Sequence, residues 1–167
     1  AEAGQDDAVV AALQAEVDML TDGANSKISQ YQKLVGIVND IRNNDFARAA
    51  ELYATLDVSQ LTDIDDGSGV SVQQIYQSVA GKMNSEGYLS LYSRAEVQYQ
   101  AGNYRGAIDL YDKSLAINPN YAPALFRKAM AYKELGDNDT ANSFFEEVGT
   151  RFPGTELARQ AESEKIR

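Results

Sequence analysis

The chain contains no cysteine and no histidine. The first absence removes disulfides, zinc–thiolate sites and cysteine nucleophiles. It is neutral between an oxidising and a reducing compartment, and it means that the fold stands without a covalent staple. The second absence removes the commonest acid–base side chain at neutral pH. No run approaches the roughly 18 consecutive apolar residues that can span a bilayer. No GxGxxG and no GxxxxGKS/T sequence is present, so phosphate loops of those types are missing as well. A basic face is lacking too. Net charge is −10, with 14 acids against 5 bases in residues 1–87 and 11 against 10 in residues 88–167. Nucleic acid binding draws on Lys and Arg to displace counterions, so DNA and RNA are disfavoured as partners, and anionic lipid surfaces for the same reason.

What is present is an ordinary globular composition, 44% apolar and 24% charged over 167 residues. That length supports one domain with a sizeable core and is marginal for two. The sequence starts at Ala1 rather than Met. The expectation is a processed or truncated product, with any targeting or anchoring segment lying upstream.

An internal repeat organises the second half. Residues 88–119 read YLSLYSRAEVQYQAGNYRGAIDLYDKSLAINP, and residues 122–153 read APALFRKAMAYKELGDNDTANSFFEEVGTRFP. A shift of 34 residues pairs Ala95 with Ala129, Gly102 with Gly136, Ala107 with Ala141, Tyr111 with Phe145 and Pro119 with Pro153. Each pair has a physical reading. The alanines are small where two helices cross closely. The glycines end a helix in a left-handed turn, and Asn103 and Asp137 follow as turn residues. Tyr111 and Phe145 lie one helical turn beyond the alanine, where a ring fills the gap between helices. The prolines close the second helix.

This pattern resembles the tetratricopeptide repeat (TPR) family over about 66 of the 167 residues. Two departures concern packing detail. Gln98 stands where the second repeat has Tyr132, and Asn138 stands where the first has Tyr104. The resemblance implies an all-α fold, a right-handed stack of antiparallel helix hairpins whose first helices line a concave face. The repeats then span 88–121 and 122–154. The segment 155–167, TELARQAESEKIR, reads as a capping helix with Thr155 as N-cap and Leu157, Ala158 and Ala161 facing the last hairpin.

Upstream, residues 44–87 read as degenerate TPR-like helices with an acidic loop at 61–69. Phe46, Ala49 and Tyr53 repeat the relative spacing of Tyr104, Ala107 and Tyr111. Residues 1–43 read as one long helix. Val10, Leu13, Val17, Leu20, Ala24, Tyr31, Leu34, Val38 and Ile41 follow steps of three and four. Lys27 interrupts that seam, and Gly23 favours a kink or break near 22–26. The seam suits equally packing within the chain and a coiled coil between copies, the latter making residues 6–43 an oligomerisation element.

No catalytic constellation emerges, so no enzyme activity and no cofactor is expected. Asp63, Asp65 and Asp66 form the one metal-like cluster. Counted from Asp63, Gly67 falls fifth and Gln74 twelfth, which does not fit a calcium-binding EF-hand loop. A solvated acidic loop is the expectation, with no metal. The repeats can bind a protein or peptide. First-helix residues left after core assignment are Leu89, Tyr92, Glu96, Tyr99, Phe126, Arg127, Met130 and Lys133. Aromatics with Met and a few charges suit an extended or helical peptide, although Tyr92 and Phe126 equally suit packing against upstream helices. One TPR subfamily holds a C-terminal carboxylate with Lys and Asn at places occupied here by Tyr92, Phe126, Glu96 and Met130, so that chemistry is missing.

A looser resemblance is to bacterial envelope-associated coiled-coil/TPR proteins, such as the Tol-associated periplasmic ones. It rests on a heptad-patterned helix followed by short TPRs and the FPGTELARQA segment. It implies an extracytoplasmic scaffold, periplasmic or at the cell surface, exported or membrane-anchored; a cytoplasmic location is the alternative. The function expected is non-enzymatic protein–protein binding through the TPR groove. The alternative is a structural oligomeriser with the repeats as spacers.

Overall fold

A computed structural model describes residues 2–19, 25–62 and 71–166. Its described residues are mostly helical, with no β-strand among them. They divide into two compact units, Ala1–Gly87 and Tyr88–Arg167.

The second unit holds five helices: α5 (Tyr88–Gln100), α6 (Tyr104–Ile117), α7 (Ala122–Glu134), α8 (Asn138–Arg151) and α9 (Glu156–Glu164). The two hairpins, α5–α6 and α7–α8, turn by the same device. Gly102 and Gly136 sit at φ +75° and +78°, a conformation that costs an L-residue roughly 1–2 kcal/mol and glycine little. Each then satisfies backbone groups left over at a helix end. Gly102 N–H donates to Tyr99 O (3.0 Å) and Asn103 N–H to Gln98 O (2.9 Å); Gly136 and Asp137 repeat this onto Lys133 O and Tyr132 O. The next residue starts the following helix. Asn103 Oδ1 accepts from Gly106 N–H and Asp137 Oδ1 from Thr140 N–H, both at 3.2 Å.

The small residues are where close helix crossing demands them. Ala95, Ala107, Ala129 and Ala141 are fully buried, and so are the rings of Tyr111 and Phe145. α6 packs on α7, so the hairpins stack in sequence. The core of the second hairpin joins Leu125, Ala129, Ala141, Phe145 and Val148 to Ala161 of α9, with Leu157 packed against it. Thr155 Oγ1 accepts the Ala158 N–H at 3.2 Å and starts α9. The first residue of α9, Glu156, lies 34 residues after Ala122 and 68 after Tyr88, so α9 occupies the register of a third first-helix. Ser114 is buried at the position of Val148, and its hydroxyl is satisfied by donation to Tyr88 O at 2.8 Å.

The first unit contains α1 (Glu2–Met19), α2 (Asn25–Arg42), α3 (Phe46–Tyr53), a 3₁₀ turn (Val58–Gln60), α4 (Val72–Lys82) and a π-helical turn (Met83–Gly87). The described part of residues 1–43 forms two helices, where the sequence pattern suggested one long helix with a kink or break near 22–26. α1 packs on α2, and Asp7 near the start of α1 pairs with Arg42 at the end of α2, so the two run antiparallel. Part of the seam is used within the chain: Leu13 and Val17 of α1 and Tyr31 and Leu34 of α2 are buried, with Ile37 beside them, whereas Val10, Val38 and Ile41 are half-buried. A stripe with steps of three and four serves a folded-back neighbour as well as a partner helix, which is why spacing alone did not decide. Gly23, Leu20 and Ala24 lie outside the described residues, as do Asp63, Asp65 and Asp66 of the acidic loop.

α2 and α3 form a third hairpin, which therefore starts at Asn25 rather than residue 44. Its turn copies the other two. Asn44 takes φ +58°, Asn44 N–H donates to Ile41 O and Asp45 N–H to Asp40 O, and Asp45 Oδ1 caps Arg48 N–H at 3.1 Å. Asn is among the few residues that tolerate this region. α4 buries Val72, Ile75 and Val79, with Met83 buried one turn further on. Tyr76 of α4 stacks on Tyr53 of α3, their hydroxyls 3.2 Å apart. The Tyr31 hydroxyl donates to Thr62 O at 2.7 Å and accepts Thr62 N–H at 3.1 Å, fixing the chain after the 3₁₀ turn.

Candidate partner-binding site

The eight residues singled out from the sequence all lie on α5 and α7, and four of them, Tyr92, Glu96, Tyr99 and Arg127, share contacts. Glu96 is the centre. One of its carboxylate oxygens accepts the Tyr111 hydroxyl proton. The other meets Arg127 Nη2 at 3.1 Å. The Arg127 guanidinium stands 5.4 Å from the centroid of the Tyr99 ring and donates to the Tyr92 hydroxyl. α5 and α7 are thus joined through one carboxylate and one guanidinium. The pair is part-exposed, 18% for the Glu96 side chain and 37% for Arg127, so its contribution to stability is about 0–1 kcal/mol. Its larger consequence is that both charges are already neutralised.

A group of tyrosines surrounds this pair. Tyr92 contacts Tyr111 (5.8 Å between centroids) and Tyr121 (5.2 Å, edge to face), and Tyr121 contacts Tyr88 at 5.0 Å. Burial pushes the Tyr111 hydroxyl well above the usual tyrosine range, and the hydrogen bond to Glu96 adds to this. Tyr92 is raised by burial and then by the Glu96 charge, with Arg127 opposing. Tyr121 and Tyr99 are raised in the same sense, by burial first. These phenols therefore stay neutral across physiological pH and keep their hydrogen-bond donors.

The remaining predicted residues divide. Leu89 is 39% exposed, an apolar side chain open to solvent at the start of α5. Phe126 and Met130 lean on the core of the second hairpin, and Phe126 lies 5.8 Å from Phe145. They are half-buried, serving packing while keeping part of their surface open. Lys133 is drawn to α9, where its ammonium reaches Glu164 Oε2 at 2.7 Å. Among the described residues no group of acids that could hold a metal ion is present. The arrangement offers aromatic surface, hydroxyl donors and paired charges, which is the chemistry of recognition.

Tyr88, Tyr121, Glu134 and Glu164 were not singled out from the sequence. Tyr121 precedes α7 and pairs by the 34-residue shift with Gly87, so comparison of the repeats hid it. Glu134 lies 3.5 Å from the Tyr99 hydroxyl. The signal that could have found it is Tyr99 itself, at the same register of α5 as Lys133 of α7 and so at the matching end of the helix.

Comparison with known proteins agrees with this architecture. Residues 98–163 match the family model of the tetratricopeptide repeat. A TPR repeat-containing protein of Methanocaldococcus jannaschii is 24% identical over 137 residues, which cover 72% of this chain and 23% of the relative. The chain thus spans about a quarter of the length of that relative. Over residues 98–163 the chain is thus similar to the tetratricopeptide repeat family.

Proposed function

We propose that the chain is a non-enzymatic scaffold that binds a protein or peptide on the α5–α7 face. Tetratricopeptide repeats generally serve protein–protein interaction rather than catalysis. The observation that carries the reading is the Glu96–Arg127 pair ringed by Tyr92, Tyr99 and Tyr121. It presents aromatic surface whose charges are already matched, beside the open side chain of Leu89. Such a face favours apolar and aromatic ligand side chains, with hydroxyl and guanidinium donors left for backbone carbonyls. A chaperone-type carboxylate tail finds no free cation there, since Arg127 and Lys133 are both paired.

The test is selection of peptides from a displayed library on the full chain. Binders should lose at least about tenfold in affinity, equivalent to about 1.4 kcal/mol, with Leu89→Arg and with Arg127→Ala, while far-ultraviolet circular dichroism is unchanged. Binders indifferent to both substitutions would place recognition elsewhere.

The oligomeriser alternative draws on residues 6–43, where Leu13, Val17, Tyr31 and Leu34 of the seam are buried and Val10, Val38 and Ile41 are half-buried. Light scattering on the full chain decides it, and a monomer is expected. An extracytoplasmic bacterial location is part of the proposal. Its support is the resemblance of FPGTELARQA after the repeats to envelope-associated TPR proteins. No helix among the described residues is long and apolar enough to cross a membrane. Fractionation of the native cells with an antibody to this chain tests it, and signal confined to the cytoplasm would end it.

A further inference from the structure

Three polar side chains of the second unit meet across three helices: Glu96 of α5, Tyr111 of α6 and Arg127 of α7. The 34-residue repeat supplies an internal comparison for them. One repeat later the same places hold Met130, Phe145 and Ala161. Those three belong to one apolar cluster, with Phe145 and Ala161 buried and Met130 packed against them. The repeat scaffold therefore packs without the carboxylate, the phenol hydroxyl or the guanidinium. The trio is an addition to the fold, and all three members change together.

What the trio builds is a receptor for a carboxylate. The Tyr111 hydroxyl donates to Oε1 of Glu96, and Arg127 Nη2 lies 3.1 Å from Oε2, so each oxygen has its own donor and one donor carries a charge. Both donors come from helices other than the one that carries the acid. The Tyr99 ring and the Tyr92 hydroxyl hold Arg127 from its other sides. Other acids of this unit pair differently. Asp109, Glu147, Glu156 and Glu162 each meet a base three or four residues along the chain, and their side chains are 39–74% exposed against 18% for Glu96. We propose that Glu96 is an internal ligand: it fills a carboxylate site on the α5–α7 face and so excludes partners that bring a carboxylate there. The consequence for partners rests on the reading of that face as a peptide site, whereas the carboxylate site itself does not.

Glu96→Ala removes the side chain beyond Cβ, the equivalent of one acetate ion, so acetate is the probe. The melting midpoint of Glu96→Ala in the full chain should rise in sodium acetate relative to sodium chloride of equal ionic strength. Acetate at about five times its dissociation constant gives a rise of roughly 4–8 °C in a unit of this size. Acetamide, which has the shape without the charge, should do much less, and the parent chain should not distinguish acetate from chloride. Adding Arg127→Ala to Glu96→Ala should abolish the effect. If Glu96→Ala is unfolded, the same titration reads recovery of helicity at 222 nm. A second arm uses Glu96→Gln, which keeps an acceptor for Tyr111 and takes away the carboxylate that pairs with Arg127. Peptides selected from a displayed library on Glu96→Gln should be richer in Asp and Glu than those selected on the parent. The proposal is overturned if acetate up to about 0.5 M acts no differently from chloride on Glu96→Ala, or if the effect survives Arg127→Ala. Acidic peptides equally frequent on the parent and on Glu96→Gln would overturn the exclusion. If acetate fails while peptides still bind the α5–α7 face, this proposal falls and the reading of the face stands; if acetate succeeds and no peptide binds, the reverse holds.

Discussion

Two glycines near each other in sequence should respond to the same substitution with opposite signs. Gly136 ends α7 at φ +78°, and a methyl group built there meets no atom within 4 Å. Gly149 lies within α8 (Asn138–Arg151), with helical backbone and equally open space around its missing methyl. Contacts therefore cancel from the comparison, leaving only backbone conformation. For Gly136→Ala the left-handed conformation costs roughly 1–2 kcal/mol, partly offset by about 0.4–1 kcal/mol from the stiffer unfolded chain. A net loss near 1 kcal/mol follows. For Gly149→Ala the helix gains about 0.5–1 kcal/mol. In a domain of 60–100 residues, 1 kcal/mol moves the melting midpoint by about 4–8 °C. Gly136→Ala should thus melt several degrees lower than the parent and Gly149→Ala a few degrees higher, followed by circular dichroism at 222 nm. Asn44, at φ +58° in the third hairpin, extends the series: Asn44→Ala should destabilise, whereas Asn44→Gly should be nearly neutral. If Gly136→Ala and Gly149→Ala shift the midpoint in the same direction, the turn geometry assigned to the hairpins is wrong.

Two further expectations follow from titrating groups. Asp40 is buried at the end of α2, one carboxylate oxygen has no hydrogen bond, and Arg48 Nε is 3.5 Å away. Burial raises its pKa, Arg48 opposes and Asp45 adds. A raised pKa in the fold means that the native state holds the proton more tightly. The stability Asp40 contributes is therefore fully present below the usual carboxylate range and is lost as pH rises through its folded value. Asp40→Asn should flatten that part of the stability–pH curve, measured by urea unfolding at several pH values; an unchanged curve would remove Asp40 as its source. In the alkaline range, Tyr53, Tyr92, Tyr99, Tyr111 and Tyr121 are all raised by burial first. Absorbance at 295 nm should show these phenols ionising only as the helices unfold, and a single transition at the ordinary tyrosine pKa with helicity intact would contradict their burial.

The two hairpins of residues 88–153 were legible because their requirements are local and recur. A left-handed turn asks for Gly102 and Gly136, and a close crossing asks for Ala95, Ala107, Ala129 and Ala141. The third hairpin was half legible. Phe46, Ala49 and Tyr53 revealed α3, but Asn44 stands where the other turns have glycine, so the turn did not announce itself. Its first helix was absorbed into the 1–43 seam, since Leu13 and Leu34 fit one continuous stripe as well as two facing ones. For the candidate site the sequence offered positions, and the network joining them was not legible. Glu96 and Arg127 are 31 residues apart on different helices, and no spacing rule links them. Asp109 and Lys113, by contrast, form a pair four residues apart on α6, 2.8 Å in the structure, that sequence alone can propose. Lys133 was assigned to a groove because nothing in the sequence tells that Glu164 of α9 reaches it.

The most direct test of recognition on the α5–α7 face is nuclear magnetic resonance mapping of a library-selected peptide on the full chain. The account predicts that amide shifts concentrate at Leu89, Tyr92, Glu96, Tyr99 and Arg127, with little change along the outer positions of α6 and α8 such as Asp109 and Glu146. Shifts confined to α6 and α8, with α5 and α7 silent, would contradict it.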